Sequence, residues 1–301
     1  MPSSLTNYRQ WTQSHNLQAT VDELPDGAHL LWIGPKRVDQ VILYCHGGAY
    51  MMSCTGNVMT FCQYLQLELE QHNVHASIAI LAYKLLPDNP FPAQLREAQA
   101  AISTLLSAGA KPQNITLAGA SAGGNLVLQL FTHILHPLPS VPPIPITPST
   151  PFRGVFLMSP WVSMQEDLGL PQHLLDAKHQ YDSLSSQYGR LACRTLLKDV
   201  PTTHIPFVDS LEAPEDQFDG LSALAERVFV MWGEVECLRA GQRRLCERYM
   251  EPYHPRIDVY EQVSGIHCQP IWDSAWMGNV GEPRIVEWFA RVYATNKEEL
   301  S

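Results

Sequence analysis

One serine, one histidine and a pair of glutamates sit where nucleophilic catalysis would need them. Ser121 is the centre of Gly119-Ala120-Ser121-Ala122-Gly123. The G-x-S-x-G spacing suits a serine held on a sharp strand-to-helix turn, where small residues two before and two after let the backbones approach closely. Ile115, Leu117 and Ala118 supply an apolar strand entry, and Leu126, Val127, Leu128 and Leu130 an apolar helix exit. The start of that helix would direct unpaired N–H groups and a partial positive charge at the reacting atom. A serine hydroxyl is a poor nucleophile at neutral pH, so it requires a base, a group that orients the base, and donors for an oxyanion.

Of twelve histidines, His267 has the address of a base. It follows the last expected strand and the loop Val263-Ser264-Gly265-Ile266. His46 also ends a strand, but it precedes the serine and belongs with Gly47 and Gly48. His133 and His136 ride the helix after Ser121 and face away. An acid is expected between serine and histidine in the chain. The loop Gly233-Glu234-Val235-Glu236-Cys237-Leu238-Arg239 offers two. The residues alone leave Glu234 and Glu236 in competition, with Glu236 slightly favoured, and Asp258 within the next strand faces solvent. Gly47, Gly48 and Ala122 are the candidate oxyanion donors, since glycine lets a backbone N–H approach a ligand unobstructed.

These residues need a scaffold that ends several strands at one place. The chain supplies it as alternating strand and helix patterns. Strands are expected at Ala28–Ile33, Val41–Cys45, Ser77–Ala82, around Leu117, and at Gly154–Met158, Val228–Trp232 and Ile257–Tyr260. Helices are expected from Val58 onward, over Leu95–Leu105, after Ser121, over Leu238–Met250, and last on the face Ile285, Trp288, Phe289 and Val292. Such alternation predicts an α/β fold: a central, mostly parallel sheet covered by helices on both faces. The prolines from Pro137 to Pro151 mark a stiff surface loop. Residues 162–222 lack clear alternation, and an insertion there, after a central strand, is the expected place for a cap over a pocket.

Composition bounds the partners. The 301 residues are 45% hydrophobic and 17% charged, as in a globular protein read as a single domain, 1–301. A net charge of −10 without a basic cluster argues against nucleic acid and anionic membrane. The start Met1–Arg9 has no apolar core, and no run is long enough to span a bilayer. Seven scattered cysteines without a C-x-x-C pair predict reduced thiols in a cytoplasmic protein and no metal site. Cys45 and Cys268 are read as small packing residues beside the site. An exposed edge strand would permit a homodimer.

His46-Gly47-Gly48-Ala49-Tyr50, Tyr83-Lys84-Leu85-Leu86-Pro87 with Phe91-Pro92-Ala93, and Gly119 to Leu126 together resemble the hormone-sensitive-lipase-like branch of the α/β-hydrolases, also called α/β-hydrolase fold-3. The likeness resumes at Ser159-Pro160-Trp161, Gly233 to Arg239 and Gly265-Ile266-His267. The resemblance implies an α/β-hydrolase fold with a helical cap made by residues 1–28 and 162–222. It implies that the acid is Glu236, two before Leu238-Arg239, and that the triad is Ser121, Glu236 and His267. Tyr50 and Trp161 are the expected pocket residues.

The implied activity is cofactor-free hydrolysis of a small to medium hydrophobic carboxylic ester through an acyl-enzyme. Trp32-Ile33-Gly34 and a leading helix with Trp11 look like filamentous-fungal esterases tied to secondary metabolism. That likeness brings in lactonisation, acyl transfer, cyclisation or elimination on a biosynthetic intermediate as an alternative outcome. A non-catalytic receptor is the remaining class, but binding members of this branch lack the histidine retained here. Two departures stand out. Ala49 replaces the third glycine, and Ala120 replaces the aspartate that, in the family, braces the oxyanion loop.

Overall fold

In the computed structural model, residues 2–146, 150–164, 182–276 and 282–294 are described. Among them the chain builds an eight-stranded sheet in the order β1-β2-β4-β3-β5-β6-β7-β8. The strands are β1 (Thr20–Glu23), β2 (His29–Ile33), β3 (Val41–Cys45), β4 (Ser77–Ala82), β5 (Ile115–Ala120), β6 (Gly154–Met158), β7 (Val228–Gly233) and β8 (Ile257–Gln262). β1 and β2 run antiparallel, and every pairing from β4 to β8 is parallel.

The central strands are buried along their whole length, as a parallel sheet covered on both faces requires. Alternate residues go to opposite faces. Leu43, Cys45 and Leu117 join one core with Leu95, Ala98 and Ile102 of α3 (Ala93–Ser107) and Leu126 and Leu130 of α4 (Ala122–Leu135). Ile42, Tyr44 and Phe156 join the other with Phe61 and Leu65 of α2 (Gly56–Gln71), and with Trp288 and Phe289 of a last helix, Pro283–Tyr293.

The strand expectations hold to within a few residues. Three features differ. Residues 1–28, expected as cap, contain α1 (Ser4–Ser14) but also β1, which pairs with β2 and so belongs to the sheet. The helix expected over 238–250 is Arg239–Arg244 followed by a wider-turned segment, Leu245–Met250. His267 does not lead straight into the last helix, because the helix Gln269–Trp276 intervenes. Of the insertion expected as cap, residues 165–181 lie outside the described residues. The described part includes a helix, Ser186–Leu197, started by Ser185, whose hydroxyl accepts from the Tyr188 N–H at 3.2 Å.

Candidate active site

The turn between β5 and α4 places Ser121 at φ 53° and ψ −118°. This backbone region costs a non-glycine residue about 1–3 kcal/mol and persists only where the surroundings enforce it. Here they do. The Ser121 N–H donates to the Met158 carbonyl at 3.0 Å, and its carbonyl accepts from Trp161 N–H and Asn125 N–H, each at 3.0 Å. A Cβ at Gly119 would overlap the Gly123 carbonyl, and one at Gly123 would overlap the Cys45 carbonyl. The glycines are therefore required by the close approach of β5, α4 and the end of β3.

The end of β3 carries the glycine loop to the serine. A Cβ at Gly47 would lie 3.1 Å from the Ala120 carbonyl oxygen and 3.2 Å from Ser121 Cβ, so Gly47 is alongside the nucleophile. Gly48 has φ +108°, a conformation L side chains rarely adopt. Ala122 is the first residue of α4, where backbone N–H groups have no partner within the helix.

His46 braces this loop from behind. It is fully buried, its Nδ1 is 2.7 Å from the Gly47 carbonyl, and its ring stacks on Tyr83 at 4.1 Å. Tyr83 donates its hydroxyl to the His46 carbonyl at 2.7 Å. Burial lowers the His46 pKa to about 4, against the opposing pull of the Gly47 carbonyl, so it is neutral.

Glu236 and His267 come from the loops that follow β7 and β8. A Cβ at Gly233 would overlap the Gly265 carbonyl, which sets the two loops against each other. Glu236 is buried, and its Oε1 stands 3.7 Å from His267 Nδ1. Its Oε2 accepts from the Ser159 hydroxyl at 2.6 Å and from Gly233 N–H at 3.1 Å, while Gln242 Nε2 donates to Oε1. Glu234 instead accepts from Ser264 N–H at the exposed side of the same loop. Asp258 pairs with Arg291 at 3.8 Å and is half exposed. Of the two glutamates, the structure brings Glu236 to His267 and leaves Glu234 at the exposed side of the loop.

Burial opposes charging of His267. Contact with the Cys268 sulfur and with the Glu236 carboxylate outweighs that, and the imidazole pKa is raised well above its ordinary value.

Ser121, Gly47, Gly48 and His267 line one cavity of about 490 Å³. Its walls are largely apolar, with Met52, Val58, Leu184, Ile271 and Trp272, and among the described lining residues none but His267 is ionic. Volume and lining are those of a site for a small organic ligand.

Tyr50 and Trp161 are not in this wall, which corrects the expectation for both. Tyr50 is buried and donates its hydroxyl to Asn125 Oδ1 at 2.8 Å. Asn125 Nδ2 donates to the carbonyls of Trp161 and Val208, both at 2.8 Å. The two aromatics therefore belong to a buried polar junction beneath the site. Cys268 and Cys54 do line the cavity, Cys45 is not among its described lining residues, and all seven cysteines are buried thiols outside any disulfide. α1 backs the wall without lining it: Ser4 Oγ accepts from Cys54 N–H and Asn7 Nδ2 donates to the Cys54 carbonyl, each at 2.9 Å.

Sequence reasoning missed Ser159 as a bridge between acid and base. It donates to Glu236 and accepts from Cys268 N–H at 3.1 Å. Gln242 and Asp182 were missed as well. His133, set aside as structural, is satisfied by Leu138 N–H and the Pro142 carbonyl, each at 3.0 Å.

A sheet of this order, with a strained serine on the β5 turn and a buried acid and histidine after β7 and β8, defines the α/β-hydrolase class. The family model described as alpha/beta hydrolase fold matches residues 42–268, and the chain belongs to that family. An esterase of the bacterial hormone-sensitive lipase family superposes with a TM-score of 0.69 at 21% identity, over 97% of this chain and 90% of that one.

Among characterised relatives, an acetyl-hydrolase of Streptomyces hygroscopicus is 36% identical over 113 residues, 36% of each chain. An esterase of Acinetobacter venetianus is 28% identical over 210 residues, 69% of this chain and 61% of that one. The match therefore spans less than two thirds of either relative's own length. No helix among the described residues is long and apolar enough to cross a membrane.

Proposed function

We propose that the protein is a serine carboxylic ester hydrolase for neutral, apolar esters of small to medium size. The observation that carries this reading is the meeting of Ser121, Gly47, Gly48 and His267 in one apolar cavity, with Glu236 buried behind His267. Esterases and an acetyl-hydrolase among its relatives support it.

In the reaction, Ser121 Oγ attacks the acyl carbon as His267 takes its proton. Glu236 holds the imidazolium that forms. The N–H groups of Gly47, Gly48 and Ala122 carry the oxyanion. Collapse expels the alcohol, which takes the proton back from His267. Water then enters, gives a proton to His267 and releases the acid, and Ser121 recovers its hydrogen. Apart from His267, the described lining residues offer no fixed ion to pair with a charged substrate, and desolvating an unpaired charge is costly, so neutral esters are favoured. Ser183, Leu184, Ser185 and Tyr188 border the cavity and act as the described part of the cap.

The test is hydrolysis of p-nitrophenyl butyrate together with fluorophosphonate labelling. Both are expected in the wild type and absent in Ser121→Ala. Full hydrolysis by Ser121→Ala, or no labelling of the wild type, overturns the reading. The same acyl-enzyme meeting a hydroxyl instead of water would give an ester or lactone; by mass a lactone is one water lighter than the acid, and a transferred ester is heavier by the acceptor alcohol less one water.

A further inference from the structure

The carboxylate of Asp182 ties together the two loops that carry the acid and the base. Its Oδ2 accepts from the N–H of Cys237, the residue after Glu236, at 2.9 Å. Its Oδ1 accepts from the N–H of His267 at 2.8 Å. The next residue, Ser183, donates its hydroxyl to the His267 carbonyl at 3.0 Å. The cap segment thus holds both backbone polar groups of His267.

These contacts span 55, 85 and 84 residues, so local turn geometry does not generate them. Asp182 is not part of the cavity wall, whereas Ser183 is. Both Asp182 oxygens are engaged by the backbones of Cys237 and His267 and do not face the cavity.

The carboxylate accepts from three N–H groups, since Oδ1 also takes that of the neighbouring Ser183 at 2.8 Å, and such charge-assisted bonds are stronger than neutral ones. The two loops also touch through Val235 N–H and the Gly265 carbonyl at 3.0 Å, and through Ser159. Ser159 and Trp272 Nε1, which donates to the His267 carbonyl at 3.2 Å, hold the peptide after His267, whereas the His267 N–H is held by Asp182. A small displacement of the base is costly, because catalytic rate falls steeply as reacting groups leave their productive geometry.

We propose that Asp182 is a positioning residue, which from the cap segment fixes the backbones of His267 and Cys237 and so aligns the base with Glu236. The proposal rests on the serine-hydrolase reading above. In its terms, docking of the cap and alignment of the triad depend on one set of hydrogen bonds.

Asn in place of Asp182 keeps the size but has one acceptor oxygen, and its NH2 would face an N–H. One loop is then released. Glu restores two acceptor oxygens on a longer stem.

The experiment measures kcat and KM for p-nitrophenyl butyrate in wild type, Asp182→Asn, Asp182→Glu and Ser183→Ala, with circular dichroism on each. A wild type that neither hydrolyses the ester nor takes the fluorophosphonate label defeats the underlying reading, not this one. With an active wild type, Asp182→Asn is expected to lose on the order of 10–100-fold in kcat, with KM within about two-fold. Asp182→Glu is expected to recover part of that loss. A folded Asp182→Asn with wild-type kcat, or one altered only in KM, overturns the proposal, as does a Glu variant no better than Asn. Should Asp182→Asn fail to fold, Ser183→Ala decides: a several-fold loss in kcat at unchanged KM is expected, and unchanged kcat overturns it.

Discussion

The Nδ1 of His267 stands 3.7 Å from Oε1 of Glu236, within ion-pair range and beyond a hydrogen bond. Nδ1 has no hydrogen-bond partner among the described residues although it is buried. The glutamate is already held by Ser159, Gly233 and Gln242, so its position does not depend on the histidine. Apo hydrogen bonds of catalytic groups are often long and tighten in the reacting complex. A carboxylate held in advance at this distance is arranged to receive an imidazolium as it forms.

A pH profile follows from the raised pKa of His267. Only neutral imidazole accepts the Ser121 proton, so kcat/KM should rise with pH along a limb lying above about 6.5, the ordinary histidine value. Stability runs the other way. A raised folded-state pKa contributes stability in full below the unfolded value of about 6.5, and that contribution is lost as pH rises through the folded value. In Glu236→Gln the carboxylate that favours the imidazolium is gone. Its limb should move toward acid and its kcat should fall by about 10³-fold or more. Steady-state rates from pH 5 to 10 check this, and a Glu236→Gln limb unmoved or displaced to higher pH contradicts it.

Ser159→Ala tests the bridge between acid and base. The substitution removes one donor to Glu236 Oε2 and the acceptor of Cys268 N–H, leaving a buried donor unsatisfied. Loss of such a partner costs about 1–3 kcal/mol. Denaturant unfolding should show that loss, and kcat should drop about ten-fold as Glu236 gains freedom. A variant as stable and as active as wild type would deny Ser159 the role.

Asn125 is tested through stability. Its side chain donates to the carbonyls of Trp161 and Val208 and accepts from Tyr50 and Gln129. In Asn125→Asp, if ionised, a carboxylate oxygen faces two carbonyls with no proton to share. The expected loss is about 3 kcal/mol or more, since two buried acceptors and one buried charge are left uncompensated. A thermal midpoint within about two degrees of wild type would contradict it.

The frame of the site was legible because it is written in local pattern: apolar runs for β3 to β7, and glycines where backbones must touch. His267 was legible from its place after the last strand. Spacing put Glu236 only slightly ahead of Glu234 and the family resemblance pointed to it, because both sit in one loop and packing decides which carboxylate turns inward. Asp182, Ser159 and Gln242 left no trace in spacing, since each acts across dozens of residues or through a partner set by the fold. Tyr50 misled because its place beside the glycine loop suggested a ligand wall, whereas Asn125 captures its hydroxyl. β1 was hidden in a four-residue polar segment, held by pairing with β2 rather than by its own propensity.

Ala120 raises the last question, since an aspartate there would brace the oxyanion loop and alanine does not. The structure holds that loop from the other side. Tyr83 donates to the His46 carbonyl at 2.7 Å and stacks on its ring, and His46 Nδ1 meets the Gly47 carbonyl. The load therefore falls on Tyr83. Tyr83→Phe keeps the ring and removes the donor, leaving the His46 carbonyl short of a partner at a cost of about 1–3 kcal/mol. The cost should appear in the transition state, because mobile Gly47 and Gly48 N–H groups meet a developing oxyanion less well. Expected is a kcat lowered about 5–50-fold with KM nearly unchanged, in a protein that still folds. If kcat holds and KM alone rises, Tyr83 serves substrate binding and the oxyanion loop is held by something else.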